Sequence, residues 1–355
     1  MKKCYLLFLV FFYFIAYASD KTTVCSFDAI KKSEELPLSR LVKDCKLIHI
    51  EDIDEALFQP WFTTITDKYI GVRQHGGGAY KLFDSTGKYL SDVGSVGNGP
   101  GEYAGSLYDD WIDDKNQLIY LAPMYGDKIY VYNTAGKFVK NIVAPQQLHK
   151  PKLHLSADGT LTVLHMAFPG EKAVVMQFDK NGKLIKTLAP LPHLIVENFD
   201  GEIFNTRNTD TFEFSHTNDN MLYRYDKKLN AIEPIFKLTF NSSEKPFVQY
   251  LMLKNYYIAN VFEKGKVVAT DIKTGTSSFV KIRNDFFGNL SFPINVTTFR
   301  NGWFVYNLEP AQLIDEIKNR LKESDCTSQD KEKLTKLMNS LDEESTNVLF
   351  VGKLK

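Results

Sequence analysis

The sequence predicts an all-β fold, a six-bladed β-propeller with four-stranded blades, on three observations. One strand–turn–strand pattern recurs along the chain, each copy follows a second hairpin, and the two chain ends supply complementary parts of one blade. The recurring turns open at Asp84, Asn133, Asp179, Asp226 and Asp271, so their spacings are 49, 46, 47 and 45 residues. A repeat of about 40–50 residues that contains several strands is typical of propeller blades.

The first residue of the recurring turn gives it a physical basis. Asp or Asn at this position accepts hydrogen bonds from the backbone N–H groups that follow, and these bonds fix the bend. In three copies a glycine stands three residues later, namely Gly87, Gly136 and Gly182, and each can adopt the positive φ that such hairpins require. A lysine then opens the outer strand, where its charge discourages pairing with another chain.

The earlier hairpin of each unit completes the four strands of a blade. In the sixth unit, Asn301-Gly302 separates two apolar segments, which is a strong signal for a two-residue hairpin turn. The fourth unit is ambiguous, because Asp200-Gly201 and the segment 208–210 (Asn-Thr-Asp) both compete for its first turn.

The chain ends predict how the ring closes. The sixth unit has two strands before Glu309, and residues 347–354 supply a third. Residues 45–51 are expected to supply the fourth, since they form a strand pattern that stands alone before the first blade. Pairing the two ends in one blade leaves only short, protected sheet edges. We therefore predict one propeller at residues 45–355, preceded by an N-terminal extension at 19–44.

A helical hairpin is predicted within the last blade, at residues 310–344. Pro310 suits the first turn of a helix, and Leu313, Ile317 and Leu321 follow helical spacing. A second amphipathic segment follows, with apolar residues at 334, 337, 338 and 341. We expect both helices to lie in one loop of the propeller.

The N-terminus indicates export. Two lysines precede an apolar run at residues 5–16, and the small residues at 16–18 (Ala-Tyr-Ala) suit a cleavage site, so residues 1–18 are predicted to be a signal peptide. No later segment has the length and apolar character of a membrane span. We expect a periplasmic or cell-surface protein. A lipid anchor is the competing interpretation, but it needs a cysteine directly after the apolar run, and Cys25 follows a polar stretch instead.

Composition excludes several classes of protein. The chain has 43 basic and 43 acidic residues and no basic block, so nucleic acid is not an expected partner. No Cys-x-x-Cys motif is present, so the sequence does not predict a zinc site. Cys25, Cys45 and Cys326 leave the choice of any disulfide pair open. We expect no cofactor, with calcium as the one ion left open.

The segment Gly94-Ser-Val-Gly-Asn-Gly-Pro-Gly-Glu-Tyr103 follows the predicted outer strand of the first blade. It resembles the Gly-x-Gly-Pro-Gly-Glu-Tyr signature of a largely uncharacterised bacterial family of secreted six-bladed propellers, which are similar in fold to NHL-repeat and TolB-like propellers. The resemblance covers nearly the whole mature chain, from the segment near Leu38 to the closing Lys353-Leu354-Lys355. It implies the architecture and export, and it implies no catalytic residues, because none is established for the family.

No catalytic or metal-binding motif stands out. The seven histidines lack metal-ligand spacing, and Gly-x-Ser-x-Gly is absent. The acidic cluster Asp109, Asp110, Asp113 and Asp114 lacks the ligand pattern of a calcium loop, and we interpret these carboxylates as solvated turn residues.

The glycine-rich motif loop has backbone amides of the kind that bind phosphate. Neither Gly-Lys-Ser/Thr nor a helix follows it, so we interpret it as a tight connector between blades. The residues of the motif loop are Gly97, Gly99, Pro100, Gly101, Glu102 and Tyr103.

Propeller topology favours one face for function. The loops between second and third strands share a face with the blade-to-blade connections, and loops on a rigid scaffold often carry function. We call this the loop face, and we expect a ligand site at its central mouth, partly covered by the helices. The candidate binding residues are Arg73, His75, Trp111, Tyr125, His165 and His216.

Three classes of function remain open. The first is a binding protein that recognises a glycan, a peptide or a partner protein at this mouth. The second is a hydrolase or lyase that uses carboxylates or calcium on the same face. The third is a structural role in an envelope complex. The lack of a catalytic motif favours binding.

Overall fold

The computed structural model describes residues 22–243 and 246–355. Six β-sheets form the blades of a propeller, and two helices lie near the C-terminus, which confirms the predicted fold class. The predicted signal peptide at residues 1–18 lies outside the described residues. Within the described residues, no helix is long and apolar enough to cross a membrane.

Strands and helices are numbered in chain order. The strands before blade 4 are β1 (Thr23–Ser26), β2 (Ser33–Pro37), β3 (Lys46–His49), β4 (Pro60–Ile65), β5 (Tyr69–Gln74), β6 (Tyr80–Asp84), β7 (Tyr89–Val93), β8 (Leu107–Asp113), β9 (Leu118–Pro123), β10 (Tyr125–Asn133), β11 (Phe138–His149), β12 (Lys152–Leu155), β13 (Leu161–Leu164), β14 (Val175–Phe178) and β15 (Leu184–Leu188). The later strands are β16 (Ile203–Phe204), β17 (Phe212–His216), β18 (Met221–Asp226), β19 (Ala231–Thr239), β20 (Val248–Leu253), β21 (Tyr256–Val261), β22 (Lys266–Asp271), β23 (Ser277–Asn284), β24 (Leu290–Ser291), β25 (Phe299–Arg300), β26 (Trp303–Leu308) and β27 (Val348–Lys353). The α-helices are α1 (Pro310–Lys322) and α2 (Ser328–Met338), and short 3-10 helices occupy Phe27–Ala29, Leu38–Arg40, Asp54–Ala56, Pro192–Leu194 and Phe262–Lys264.

Each of the first five blades consists of four consecutive strands, ordered from the ring centre outwards. They are β4–β7, β8–β11, β12–β15, β16–β19 and β20–β23, and blade 6 has the order β25, β26, β27, β3. The first strand of every blade therefore lines the central channel. In blade 4 the first turn lies at 205–211, between β16 and β17, which resolves the ambiguity in favour of the segment 208–210.

The N-terminal extension adds outer strands to two blades, a feature that the sequence did not predict. β1 pairs in parallel with β19, and β2 pairs in parallel with β23. These strands cover sheet edges that would otherwise be open to another chain. Cys25 lies on β1 and is buried, and Cys25, Cys45 and Cys326 are all free thiols.

The recurring turn forms as the sequence predicts. Oδ1 of Asp84 accepts hydrogen bonds from the N–H groups of Thr86 and Lys88 at 2.8 and 3.1 Å. Asn133 and Asp179 accept the equivalent pair of bonds within their own turns. The side chain that opens each turn thus takes over backbone donors that no strand partner uses.

The two chain ends close the ring, as predicted. β27 pairs antiparallel with β3, so that Val348 is opposite His49 and Val351 is opposite Lys46. The turn of blade 1 packs directly on this closing strand. A Cβ atom on Gly87, which has φ +95°, would lie 2.2 Å from the carbonyl oxygen of His49.

The helical hairpin packs on the junction of blades 5 and 6. Leu313 and Ile317 of α1 and Leu334 of α2 belong to one buried apolar cluster with Phe304 and Val348 of blade 6. A capping box begins α2, since the Thr327 side chain accepts a hydrogen bond from the Asp330 N–H and the Asp330 side chain accepts one from the Thr327 N–H.

We predict that Gly87→Ala destabilises the protein more than Gly275→Ala does. Gly275 lies in the equivalent turn of blade 5 with φ +71° and has no atom within 4 Å of an added Cβ. Both variants carry the strain of a positive φ, about 1–2 kcal/mol, but only Gly87→Ala also forces the turn away from β3, at about 1–3 kcal/mol. Denaturant unfolding measures both, and equal losses would contradict a close contact between blade 1 and the closing strand.

Candidate functional site

Six charged side chains converge in the central channel. Ion pairs join blade 2 to blades 4 and 6, which are not its neighbours in the ring, so these side chains cross the centre. Each of the six is 5% exposed or less. They come from β5, β8, β12, the segment after β16, and β25. We call the set the channel cluster: Arg73, Asp109, Asp110, Lys152, Arg207 and Arg300.

Asp110 is held at the interface between blades 1 and 2. Its Oδ1 accepts a hydrogen bond from Arg73 Nε at 2.7 Å, and its Oδ2 accepts one from the Tyr80 hydroxyl at 2.9 Å. Burial alone would raise the pKa of this carboxyl, but the charges of Arg73 and Arg300 outweigh burial and lower it. Asp110 is therefore an ionised group with two donors already in place.

Asp109 points to the opposite face of β8, because consecutive strand residues alternate. Its Oδ2 accepts hydrogen bonds from the Leu153 N–H at 2.8 Å and from Arg207 Nη1 at 3.3 Å, and its Oδ1 lies 3.5 Å from Arg300 Nη2. Burial opposes ionisation here too, but the surrounding cations, Arg207 first, lower the pKa of Asp109 to about 2.

Positive charge exceeds negative charge in the channel cluster, with four basic side chains against two carboxylates. Lys152 is the weakest base of the four, because burial and the neighbouring arginines lower its pKa to about 7 against the attraction of Asp109. Its Nζ lies 4.0 Å from the centre of the Tyr108 ring. The Phe62 ring lies 4.4 and 4.9 Å from the guanidinium carbons of Arg73 and Arg300. Cation–π contacts offset part of the cost of burying these charges.

Several buried donors of the channel cluster lack an acceptor. They are Nη2 of Arg73, Nε and Nη2 of Arg207, and Nε of Arg300. Both amide atoms of Asn205 and the hydroxyl of Thr64, on the innermost segments of blades 4 and 1, are unpaired as well. A buried polar group without a partner costs about 1–3 kcal/mol. An acceptor in the channel would remove this cost.

A cavity of about 290 Å³ lies beside the channel cluster. It opens on the side of the turns between first and second strands, which we call the turn face. Arg207, a member of the channel cluster, also lines this cavity, and its guanidinium carbon lies 5.1 Å from the centre of the Trp111 ring. Its φ is +55°, a conformation that costs energy in a non-glycine residue and is found at functional sites. The lining residues are Thr64, Ile65, Thr66, Asp67, Trp111, Ile112, Asp114, Arg207, Asn301, Trp303 and Lys353.

At the loop face, side chains cross the channel. Tyr108 of blade 2 donates a hydrogen bond to Glu202 of blade 4, and Lys150 Nζ lies 2.6 Å from Glu202 Oε1. Trp61 packs edge-on against Tyr108, with ring centres 6.1 Å apart. The cavity beside the cluster therefore opens at the turn face, not at the loop face where the sequence placed the ligand mouth.

The six candidate residues from the sequence divide into two groups. Arg73 belongs to the channel cluster, and Trp111 lines the cavity next to it. His75 and Tyr125 lie exposed at the loop face, with the His75 ring 6.5 Å from that of Trp61 and Tyr125 61% exposed.

The two remaining candidates, His165 and His216, are buried within blades 3 and 4. His165 Nε2 lies 2.8 Å from the Ala173 carbonyl oxygen, and burial lowers the pKa of this histidine to about 4. His216 Nδ1 accepts a hydrogen bond from the Asn218 N–H, and burial lowers its pKa as well. His165 also contacts Gln146 and His149 of β11 in blade 2, and among the described residues no hydrogen bond or ion pair joins either candidate histidine to the channel cluster.

The motif loop is filled by its own glutamate. The Gly99 N–H donates a hydrogen bond to Glu102 Oε2 at 2.7 Å, and a Cβ on Gly97 would lie 2.1 Å from the same oxygen. Tyr103 is fully buried, and its hydroxyl donates to the Gly78 carbonyl at 2.9 Å. The glycines thus allow a close approach to a carboxylate of the same loop.

The sequence analysis was wrong to treat Asp109 and Asp110 as solvated turn residues. β8 extends from Leu107 to Asp113, so both carboxylates lie inside a buried innermost strand. A signal was present, because basic residues also occur in or next to the first strands of three other blades. These residues are Lys152, Arg207 and Arg300.

The described residues contain no group of three or more histidine, cysteine, aspartate or glutamate side chains that could hold a metal ion. Calcium, which the sequence left open, has no ligand set of that kind in this part of the chain.

Three solved structures are similar to this chain at low sequence identity, and the first of them shares its fold. A "Putative exported protein" of Bacteroides fragilis is 15% identical, with 94% of this chain and 100% of that chain covered and a TM-score of 0.66. A streptogramin B lyase is 12% identical over 69% of this chain and 76% of that chain, with a TM-score of 0.47. A periplasmic gluconolactonase of Pseudomonas aeruginosa is 14% identical over 62% and 68%, with a TM-score of 0.41.

A comparison with curated proteins found no match. The sequence profile of a domain of unknown function, DUF4934, matches residues 22–353. Because the match covers nearly the whole described chain, the protein belongs to the DUF4934 family.

Proposed function

We propose that the protein is an exported recognition propeller that binds an anionic group of its ligand in the central channel, entered from the turn face. The observation that carries the proposal is the set of buried guanidinium donors without acceptors beside an open cavity. Arg207 links the two, because it lines the cavity and contacts Asp109 in the cluster.

Export has two supports. The N-terminal sequence has the basic, apolar and small-residue segments of a signal peptide. The Bacteroides fragilis protein that shares the fold carries the description "Putative exported protein". Either the periplasm or the cell surface suits a propeller of this kind.

The chemistry of the donors favours a carboxylate, sulfate or phosphate group. Guanidinium groups present their N–H donors in a planar fork that matches the oxygens of such anions. Nε and Nη2 of Arg207, which are both unpaired, form one edge of such a fork. Burial strengthens the attraction, because the local dielectric constant is low.

Binding is better supported than the alternative, a hydrolase or lyase dependent on carboxylates or calcium. A catalytic general acid needs a pKa near the working pH. The pKa values of Asp109 and Asp110 are both lowered, and their oxygens already accept hydrogen bonds from arginine, tyrosine or backbone donors. These carboxylates are suited to holding the arginines in place.

We predict that Arg207→Gln weakens the binding of glucuronate and of sulfate by more than about tenfold, because a hydrogen bond to a charged group contributes about 1.5–3 kcal/mol. Lys264→Gln is the matched control, since it removes the same charge from an exposed position in blade 5 and leaves both affinities unchanged. Isothermal titration calorimetry measures the affinities. The proposal fails if the wild-type protein binds none of glucuronate, sulfate and phosphate, or if Arg207→Gln binds them as the wild type does.

Sulfate affinity is expected to fall as pH rises from about 6 to about 8.5. Lys152 has a pKa of about 7, so it is charged below that pH and loses its charge above it. Asp109 and Arg300 keep their charges across the range, since the pKa of Asp109 is about 2 and that of Arg300, lowered chiefly by burial, is still about 10. Lys152→Met should bind sulfate more weakly at about pH 6 and show little pH dependence. A wild-type affinity that is flat or rises with pH would contradict this role for Lys152.

A further inference from the structure

We infer that the ligand is an acidic oligosaccharide, which lies in a groove that runs across the turn face from the channel mouth towards the junction of blades 6 and 1. The inference rests on the proposed function, because one acidic group of the sugar would occupy the channel. It adds the class of ligand and a second region of contact.

The groove consists of two adjoining cavities. The first is the cavity of about 290 Å³ beside the channel cluster, and the second has a volume of about 310 Å³. They share one wall. Together they are in the size range of sites for small-molecule ligands. The shared residues are Ile65, Thr66, Asp67, Trp303 and Lys353.

An exposed ion pair crosses the groove at the shared wall. Lys353 Nζ lies 2.5 Å from Asp67 Oδ1, and the two side chains are 41% and 67% exposed. An exposed pair of this kind contributes little to stability, because water screens it. A bound chain can therefore displace it at little cost, and Lys353 is then free to pair with an acidic group of the ligand.

Two tryptophans provide flat apolar surfaces along the groove. Trp111 lines the first cavity, and Trp303 lies on the wall between the two. Both are partly exposed. An indole ring combines a large apolar face with a polar N–H group at its edge. Such a face packs well against the C–H face of a sugar ring.

The polar side chains that line the groove suit a ligand rich in hydroxyls. Hydroxyl, carboxylate and amide side chains line the first cavity at Thr66, Asp114 and Asn301. At the far end, Lys43 and Lys46 line the second cavity on either side of Asp44, so basic charge exceeds acidic charge there, and all three side chains are exposed. A chain that carries acidic groups on more than one sugar ring would meet basic groups at both ends of the groove.

The test compares chain lengths of one acidic sugar by isothermal titration calorimetry. The probes are galacturonate, its dimer and its trimer, with the corresponding uronate and sulfated oligosaccharides as a panel. Maltotriose serves as a neutral control, and a triglycine peptide serves as a carboxylate without sugar rings. We expect at least one acidic trimer to bind about tenfold or more tightly than its monomer, about 1.4 kcal/mol, and maltotriose not to bind.

Two variants locate the added affinity. Lys46 lines the second cavity but not the first, and its side chain is exposed. Lys46→Glu should therefore weaken trimer binding about fivefold or more and reduce the ratio of trimer affinity to monomer affinity. Trp303→Ala should narrow the same ratio. Lys264→Glu makes the same charge change outside the groove, and we expect it to leave the ratio as in the wild type.

The outcomes separate this inference from the proposed function. If monomers and sulfate bind but no acidic trimer binds more tightly than its monomer, the channel site stands and the groove inference is overturned. Binding of maltotriose equal to that of the acidic trimers, or tighter binding of the peptide, would also overturn it. If no anion binds at all, the proposed function itself fails.

Discussion

The pairing of β27 with β3 is the constraint on which the rest of the structure depends. It joins the last strand of the chain to a strand that precedes blade 1, and the ring then brings six innermost strands around one channel. Arg300 and Asp109, which are 191 residues apart in sequence, approach each other only because of this closure. The channel cluster is therefore a product of long-range topology, and a change at the outer edge of blade 6 acts on charges at the centre.

Stability does not explain the channel cluster. Burying an ion costs several kcal/mol, and replacing buried ion pairs with well-packed apolar residues is often neutral or stabilising. Apolar clusters between the blades already hold the ring together, as at Tyr80, Leu82 and Leu107 between blades 1 and 2. Charged groups with unmet hydrogen-bonding capacity in a cleft are more typical of functional sites. The positive φ of Arg207, at the boundary between cluster and cavity, agrees with this interpretation.

The sequence was sufficient to predict the fold because the same blade recurs along the chain. The turn at Asp84 recurs with the same hydrogen bonds at Asn133 and Asp179, so one local pattern predicted five blades. The site was harder to predict, since it is built from single residues that do not repeat. Arg73 and Trp111 were among the residues predicted from the sequence, and they lie in and beside the channel cluster. The pairing of Asp109 with Arg207 depends on how the ring brings blades 2 and 4 together. The two extra strands of the N-terminal extension were missed because an outer strand leaves no periodic signal of its own.

The most direct test of an anion site is crystallographic. Crystals of the protein, grown without sulfate or phosphate and soaked in selenate, would show the anion by its anomalous signal. The account predicts a selenate peak within hydrogen-bonding distance of Nε or Nη2 of Arg207, next to Trp111 at the turn face. Ordered water at these donors, with selenate bound elsewhere or nowhere, would contradict it.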